Sequence, residues 1–252
     1  MKMAAPRDKW IFLTVVAVLL LALPGCRGML ARQFLFYPSH EAPNGRLAEW
    51  KDAQGNGIGF CREVASPENV WLMIHGNAGQ AQDRAYAMGS FSGRDSVYVL
   101  EYPGYGQRAG KASKEAFNKA AIEAYQLLRQ RFPGKPVCVV GESIGSGASC
   151  VLAGQTPPPD KIVLVVPFDN LGSVASDHVP LGGWILGTTW DNTKALSTYQ
   201  GRIEIFGARA DSVIPIRHAE ALARSLPAAR FHLLDCGHNE WSERGQVEIR
   251  NP

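Results

Sequence analysis

The residue of the sequence best placed for chemistry is a serine between two glycines, in Gly141-Glu142-Ser143-Ile144-Gly145. The pentapeptide follows an apolar run, Val137-Cys138-Val139-Val140, and opens a stretch of small residues, Ser146-Gly147-Ala148-Ser149. That order predicts a strand, a sharp turn at the serine, then a helix. Glycines on either side let the backbone take a strained turn without a Cβ clash. The turn presents the hydroxyl at the end of a sheet, where it can attack a carbonyl once a base removes its proton. In a chain with 26 Gly among 252 residues such a pentapeptide also arises by chance, so its meaning depends on the partners available to it.

Six histidines are candidates for the base: His40, His75, His178, His218, His232 and His238. His238 is selected because it follows a strand-like Phe231–Leu234 and a Cys236-Gly237 turn, on a loop able to reach the serine. His218 falls within a helical stretch and reads as a surface residue, and His232 alternates within a strand. The imidazole needs an acid to fix its tautomer and stabilise its cation. Asp211, after the apolar run Ile203–Phe206, is preferred to Asp235, which lies too close in sequence to His238, and to Asp169. The oxyanion formed by attack needs donors already aimed at it. Those expected are the backbone N–H of Ile144, at a helix N-terminus, and that of Asn77, in the turn His75-Gly76-Asn77-Ala78-Gly79 that follows Trp71–Ile74.

The elements that must position these groups are legible from periodicity. Trp71–Ile74, Val97–Leu100, Val137–Val140 and Ile162–Val166 are short apolar runs without polar alternation, and Ile203–Phe206 is a like run interrupted at Glu204, as expected of strands buried on both faces. Gly57–Val64 reads as a further strand. Lys114–Arg131 carries Phe117, Ala121, Ala124, Tyr125 and Leu128 at helical spacing and stops before Pro133-Gly134; Ile216–Leu226 is a second helix closed by Pro227. Strands alternating with helices predict a doubly wound α/β domain with a mostly parallel sheet, in which ligands bind beyond the carboxyl ends of the strands. Each candidate residue falls at such an end. The apolar Phe34-Leu35-Phe36-Tyr37-Pro38 is expected to pack the lead-in segment onto the domain.

Two units are expected, residues 1–26 and the domain 27–252. In the first, Lys2, Arg7 and Lys9 precede an unbroken apolar or neutral run from Trp10 to Leu23, shorter than the roughly 20 residues of a spanning helix and fitting a secretory signal. The run ends Leu23-Pro24-Gly25-Cys26, which resembles the lipobox of bacterial lipoproteins and implies lipidation at Cys26; Pro24 departs from that pattern, and an uncleaved anchor or an ordinary signal peptide are the alternatives. All three place the domain in the cell envelope or periplasm, with membrane association through the N-terminus. Cys61, Cys138, Cys150 and Cys236 show no metal-site spacing and dictate no disulfide pairing; Cys138 and Cys150 read as buried small hydrophobes. A net charge of +3 without a basic run argues against a nucleic-acid partner.

Taken together, His75–Gly79, Tyr102-Pro103-Gly104-Tyr105-Gly106, Gly141–Gly145, Asp211-Ser212-Val213-Ile214-Pro215 and Gly237-His238-Asn239 resemble, in order and spacing, the motifs of the α/β-hydrolase superfamily. Within it they resemble the small serine-aminopeptidase-like group that includes depalmitoylase-like hydrolases. The resemblance covers roughly residues 30–250 and implies a catalytic triad of Ser143, Asp211 and His238, with the Tyr102–Gly106 loop bordering the site. It implies no metal or organic cofactor. The interval between Val166 and Ile203 leaves no room for a large lid, so Leu181–Leu186 is expected to form a small apolar cap. The activity expected is cleavage of an acyl ester or thioester in a small-molecule or lipid substrate through an acyl-enzyme. The rival within enzymes is a serine peptidase, for which Glu142 or Asp169 would supply the acidic site for a free amine. The rival outside enzymes is a non-catalytic envelope lipoprotein that uses the fold for binding.

Overall fold

The structure, a computed structural model, describes residues 33–186, 189–243 and 247–250. The segment 1–26, with Cys26, lies outside the described residues. Among the described residues, no helix is long and apolar enough to cross a membrane.

The strands are β1 (Tyr37–Pro38), β2 (Ala48–Lys51), β3 (Gly57–Arg62), β4 (Val70–Ile74), β5 (Ala78–Gly79), β6 (Ser96–Leu100), β7 (Val137–Glu142), β8 (Lys161–Val165), β9 (Arg202–Ala208) and β10 (Arg230–Leu234). Eight of them form one sheet in the order β10-β9-β8-β7-β4-β6-β3-β2, while β1 and β5 pair separately. Pairing is parallel from β10 across to β6 and antiparallel where β3 meets β6 and β2. Strands β4, β6, β7 and β8 are buried at every position, which is why their sequences read as apolar runs. Their side chains divide by alternation between two cores. Val70, Leu72, Ile74, Val137 and Val139 face one core, with Phe117 and Leu128. Trp71, Met73, Cys138 and Val140 face the other, with Ala81, Ala87 and Trp241.

Helices cover both faces. Helix α1 (Lys114–Arg131) starts at Ser113, whose side chain accepts the Ala116 N–H, and buries Phe117, Ala121, Ala124, Tyr125 and Leu128. It packs on the first face beside α2 (Gly145–Val151). The 3-10 helix Ala81–Ser90 packs over the other face, against β3 and β6. The remaining helices are α3 (Leu171–His178), α4 (Gly182–Leu186), α5 (Asn192–Leu196) and α6 (Arg217–Ser225). Among the described residues, α3, α4 and α5 occupy the interval between β8 and β9 where a lid would be inserted, and all three are short.

Chain direction reverses at the middle of the sheet. From β4 the chain moves to β6 on one side, then returns to β7 on the other, so a crevice opens beyond the carboxyl ends of β4 and β7. Close approach at that crevice requires the two glycines of the pentapeptide. A Cβ on Gly145 would lie 2.1 Å from the Ile74 carbonyl oxygen and 2.5 Å from that of His75; on Gly141 it would lie 2.7 Å from Ser146 Cα. Backbone has no rotamer with which to escape such contacts. Gly145→Ala should therefore cost about 3 kcal/mol or more in urea unfolding, the upper end for overpacking. Gly154→Ala, with nothing within 4 Å of its Cβ, should stay within about 0.5 kcal/mol. Equal effects at the two positions would contradict this packing.

Candidate active site

Strand β7 ends at Glu142, and Ser143 takes a left-handed φ of 53° before α2 begins at Gly145. A non-glycine residue in that region carries strain that the surroundings must hold. Three contacts hold it. The Ser143 N–H donates to Val165 O at 2.9 Å, continuing the β7–β8 ladder. Its carbonyl accepts both the Ser146 hydroxyl at 2.7 Å and the Ser146 N–H at 3.0 Å. Asn192 backs the arrangement, donating from Nδ2 to Ser146 Oγ and to the Phe168 carbonyl.

The structure brings the three residues singled out for nucleophile, base and acid together. His238 Nε2 lies 2.9 Å from Ser143 Oγ, and His238 Nδ1 lies 2.6 Å from Asp211 Oδ2. A carboxylate only accepts, so Nδ1 carries the proton and Nε2 offers its lone pair to the serine hydroxyl. The other oxygen, Asp211 Oδ1, accepts the N–H groups of Val213 and Ile214 at 2.9 and 2.7 Å, which fixes the carboxylate in the plane it needs. The loops bearing the acid and the histidine are laced by Arg209 N–H to Leu234 O and Ala210 N–H to Cys236 O. Asp211 and His238 leave the carboxyl ends of the adjacent parallel strands β9 and β10.

The loop after β4 is fixed one peptide at a time. Between His75 and Gly76, the N–H donates to Glu142 Oε2 at 3.2 Å and the carbonyl accepts Tyr102 OH at 2.5 Å. The Gly76 carbonyl accepts His75 Nδ1 at 2.7 Å. The Asn77 carbonyl accepts Tyr105 OH at 2.7 Å and the Tyr37 N–H at 2.9 Å, and the Ala78 carbonyl accepts Arg84 Nη2 at 2.7 Å. In a trans peptide the carbonyl and the N–H point to opposite sides. Holding the Gly76 carbonyl inward therefore turns the Asn77 N–H outward, and holding the Ser143 carbonyl does the same for Ile144. Asn77, Ser143 and Ile144 line one cavity.

The chain is similar in sequence and in fold to known proteins. No protein-family profile matches the chain. It is 31% identical over 138 residues to the lysophosphatidylserine lipase ABHD12 of Xenopus tropicalis, covering 51% of this chain and 36% of that protein. The Danio rerio protein of the same name is 31% identical over 149 residues, covering 55% and 38%. The chain thus spans little more than a third of the length of these relatives. Among solved structures, the Pyrococcus furiosus esterase Pf2001 superposes with a TM-score of 0.62 at 12% identity, over 83% of this chain and 95% of that one. An esterase from Exiguobacterium antarcticum gives 0.57 at 15%, over 77% and 93%. The chain has the α/β-hydrolase fold.

In this α/β-hydrolase fold the cavity beside Ser143 has a volume of about 650 Å³ and is walled mainly by apolar side chains, among them Leu35, Leu171, Val174, Leu186, Val213 and Ile214. The cap residues supply much of it, with Ser212, Val213 and Ile214 after Asp211 and the lead-in residues Phe34 and Leu35 beside them. The lead-in is anchored in turn: Phe36 packs on Phe117 at 4.9 Å, and β1 pairs with β5 in the Asn77 loop. No Asp, Glu, Lys or Arg lines the cavity among the described residues. Neither do they include a cluster of three or more side chains suited to a metal ion.

Other sequence expectations come out differently. His218 is not a surface residue. It is 5% exposed, with Nδ1 at 2.7 Å from Asp169 Oδ1 and Nε2 at 2.5 Å from Asp177 Oδ2, because it lies on the face of α6 that Leu222 buries, one turn away. That contact occupies Asp169. Glu142 is enclosed rather than presented to the cavity: Arg84 Nε lies 3.1 Å from Oε2, while Tyr86 OH and Trp241 Nε1 donate to Oε1 at 2.9 and 3.3 Å. Asp235 points to solvent and pairs with Arg209. Tyr102 and Tyr105 are buried and buttress the Asn77 loop, with Tyr102 stacked on Phe117 at 3.6 Å. Cys61, Cys138 and Cys150 are buried free thiols, and Cys236 is buried as well; burial pushes Cys61 up to about 11 and Cys138 up to about 12.

Sequence reasoning missed Arg84, Tyr86 and Trp241. Burial alone would raise the Glu142 carboxyl, but the Arg84 guanidinium and the hydrogen bonds from Tyr86 and Gly76 outweigh it and leave it below the usual range. Burial, with Glu142 beside it, pushes the Tyr86 hydroxyl up, so it remains a donor. A carboxyl depressed on folding stabilises the native state fully above its unfolded value of about 4.3 and loses that contribution as pH falls through the folded value. Wild type should accordingly melt well above Glu142→Gln at neutral pH, and the gap should narrow as the pH is lowered through about 4 toward 2. A gap that stays constant over that range would contradict the assignment.

Proposed function

We propose that the chain is a serine hydrolase that cleaves acyl esters or thioesters. Ser143 Oγ attacks the acyl carbonyl as its proton passes to His238 Nε2, and Asp211 stabilises the resulting imidazolium. The N–H groups of Ile144 and Asn77 receive the oxyanion. Collapse expels the alcohol or thiol, which takes the proton from His238; water then attacks the acyl-enzyme by the same route. The observation that carries this reading is the continuous chain from Asp211 Oδ2 through His238 to Ser143 Oγ, with contacts of 2.6 and 2.9 Å, at the mouth of an apolar cavity. The names of the relatives and structural neighbours, lipase and esterase, agree with it.

The substrate we favour is a lipid or other molecule with a single acyl chain, seated in the cavity with its polar part toward solvent. A wall without charged side chains suits a hydrocarbon and offers nothing to a headgroup. The same lack counts against an aminopeptidase, which needs a carboxylate for the substrate amine, since Glu142 and Asp169 are both engaged elsewhere. It follows that the subgroup we favour is the depalmitoylase-like one. We also propose that residues 1–26 direct export and that Cys26 carries a lipid, which would hold the domain at a membrane; the basic start, the apolar run and Leu23–Cys26 support this.

With p-nitrophenyl esters of increasing chain length, kcat/KM should rise up to about fourfold per methylene, the equivalent of about 0.8 kcal/mol per buried CH₂, then level off as the cavity fills. Ala175→Trp, on the cavity wall, should move that plateau to shorter chains. Ser143→Ala should abolish turnover throughout, whereas aminoacyl-p-nitroanilides should not be cleaved. A flat chain-length profile, or faster anilide than ester cleavage, would overturn the substrate reading. For the N-terminus, growth with an alkyne fatty acid should label wild type and leave Cys26→Ser unlabelled; equal labelling of the two excludes Cys26 as the site.

A further inference from the structure

Glu142 stands one residue before the nucleophile, is 6% exposed, and takes no part in the proton path from Asp211 to Ser143. Its two oxygens nevertheless meet three separate segments. Oε2 accepts the Gly76 N–H and faces Arg84 Nε, and Arg84 Nη2 passes the contact on to the Ala78 carbonyl. Oε1 accepts Tyr86 OH and also Trp241 Nε1, three residues after His238. Gly76 is the point of convergence: a Cβ there would lie within 4 Å of Ser143 Cβ, Glu142 Cδ and Arg84 Nη2.

We infer that Glu142, neutralised by Arg84, is a positioning residue that locks the Asn77 loop and the His238 loop to the nucleophile. Two physical points favour this over a merely stabilising ion pair. A buried pair gives little net stability compared with apolar side chains of the same volume, so stability alone does not account for it. A carboxylate beside the place where negative charge develops would oppose that charge if it were unpaired, and Arg84 removes the opposition while adding its own bond to the loop. The Gly76 N–H and the Ala78 carbonyl stand on either side of Asn77, so the loop is held on both sides of that residue, by the Glu142 carboxylate directly and through Arg84.

The inference rests on the hydrolase reading, and the experiment separates the two. Glu142→Gln keeps the shape but turns an amide donor toward the Gly76 N–H or Arg84. Loss of one oxyanion donor costs about 10²–10³ in kcat; a donor left in place but loosened should cost about 10- to 100-fold, with KM within about twofold. An alkylboronic acid supplies the second readout: Ser143 Oγ adds to boron, its proton passes to His238, no group leaves, and the tetrahedral boronate anion places one of its hydroxyl oxygens near the Asn77 and Ile144 amides. Its affinity should fall by the same factor as kcat/KM, while a long-chain alcohol that only fills the cavity binds as to wild type. Tyr86→Phe, which removes one donor to Glu142 from a partly exposed ring, should show a smaller parallel loss and serves if Glu142→Gln does not fold. Unchanged kcat, or a fall in kcat without a matching fall in boronate affinity, would overturn the positioning role while leaving the hydrolase reading intact. Ester turnover equal in wild type and Ser143→Ala would overturn both.

Discussion

The site depends on the rigidity of the trans peptide. Asn77, Ser143 and Ile144 line the cavity, and the carbonyls of the Gly76–Asn77 and Ser143–Ile144 peptides are held inside the protein, Gly76 by His75 and Ser143 by Ser146. With each carbonyl fixed, the N–H on the opposite side of the same planar peptide has no freedom of its own. The cost of holding Ser143 at a positive φ is offset by the hydrogen bonds to its own N–H and carbonyl. The close contact of Gly145 with the Ile74 and His75 carbonyls belongs to the same constraint, since it brings the start of α2 against the end of β4.

Everything further out serves to keep those few peptides still. The parallel strands deliver Ser143, Asn77, Asp211 and His238 to one edge because all leave strands at their carboxyl ends. Tyr102 and Tyr105, buried against Phe117, press on the Asn77 loop from one side, and the Glu142–Arg84 pair grips it from the other. The wall of the cavity comes from less regular parts of the chain, the short helices α3 and α4, the turn Ser212–Ile214 and the lead-in around Phe34. Chemistry and selectivity are thus assigned to different layers: a stiff sheet edge for the first, a small cap for the second.

Much of this was legible in the sequence for identifiable reasons. Strands covered on both faces read as apolar runs, so β4, β6, β7 and β8 announced themselves, and β9 did so through Ile203, Ile205 and Phe206 despite Glu204. Helix α1 was delimited by its apolar spacing and by Pro133-Gly134. The residues Ser143, Asp211 and His238, which the structure joins, each sit in a turn that follows a strand of the parallel part of the sheet. What escaped was whatever depends on contacts distant in sequence. Arg84 lies in a 3-10 helix with no clear period, and its partner Glu142 is in another element altogether. Glu142 itself read as a free acid near the site, because a sequence does not reveal three converging donors and a buried guanidinium beside them. His218 was misjudged although its spacing from Leu222 carried the signal: a polar residue on an inward face can be buried if carboxylates meet both ring nitrogens.

The central claim is that Ser143 is a nucleophile activated by His238 and Asp211. It is tested most directly by treating the folded protein with a fluorophosphonate and locating the adduct by mass spectrometry. The account predicts a single adduct, on the peptide containing Ser143, that forms rapidly in wild type and far more slowly in His238→Ala, which has no base to take the serine proton. A folded protein that stays unlabelled, or carries the adduct on a different residue, would contradict it.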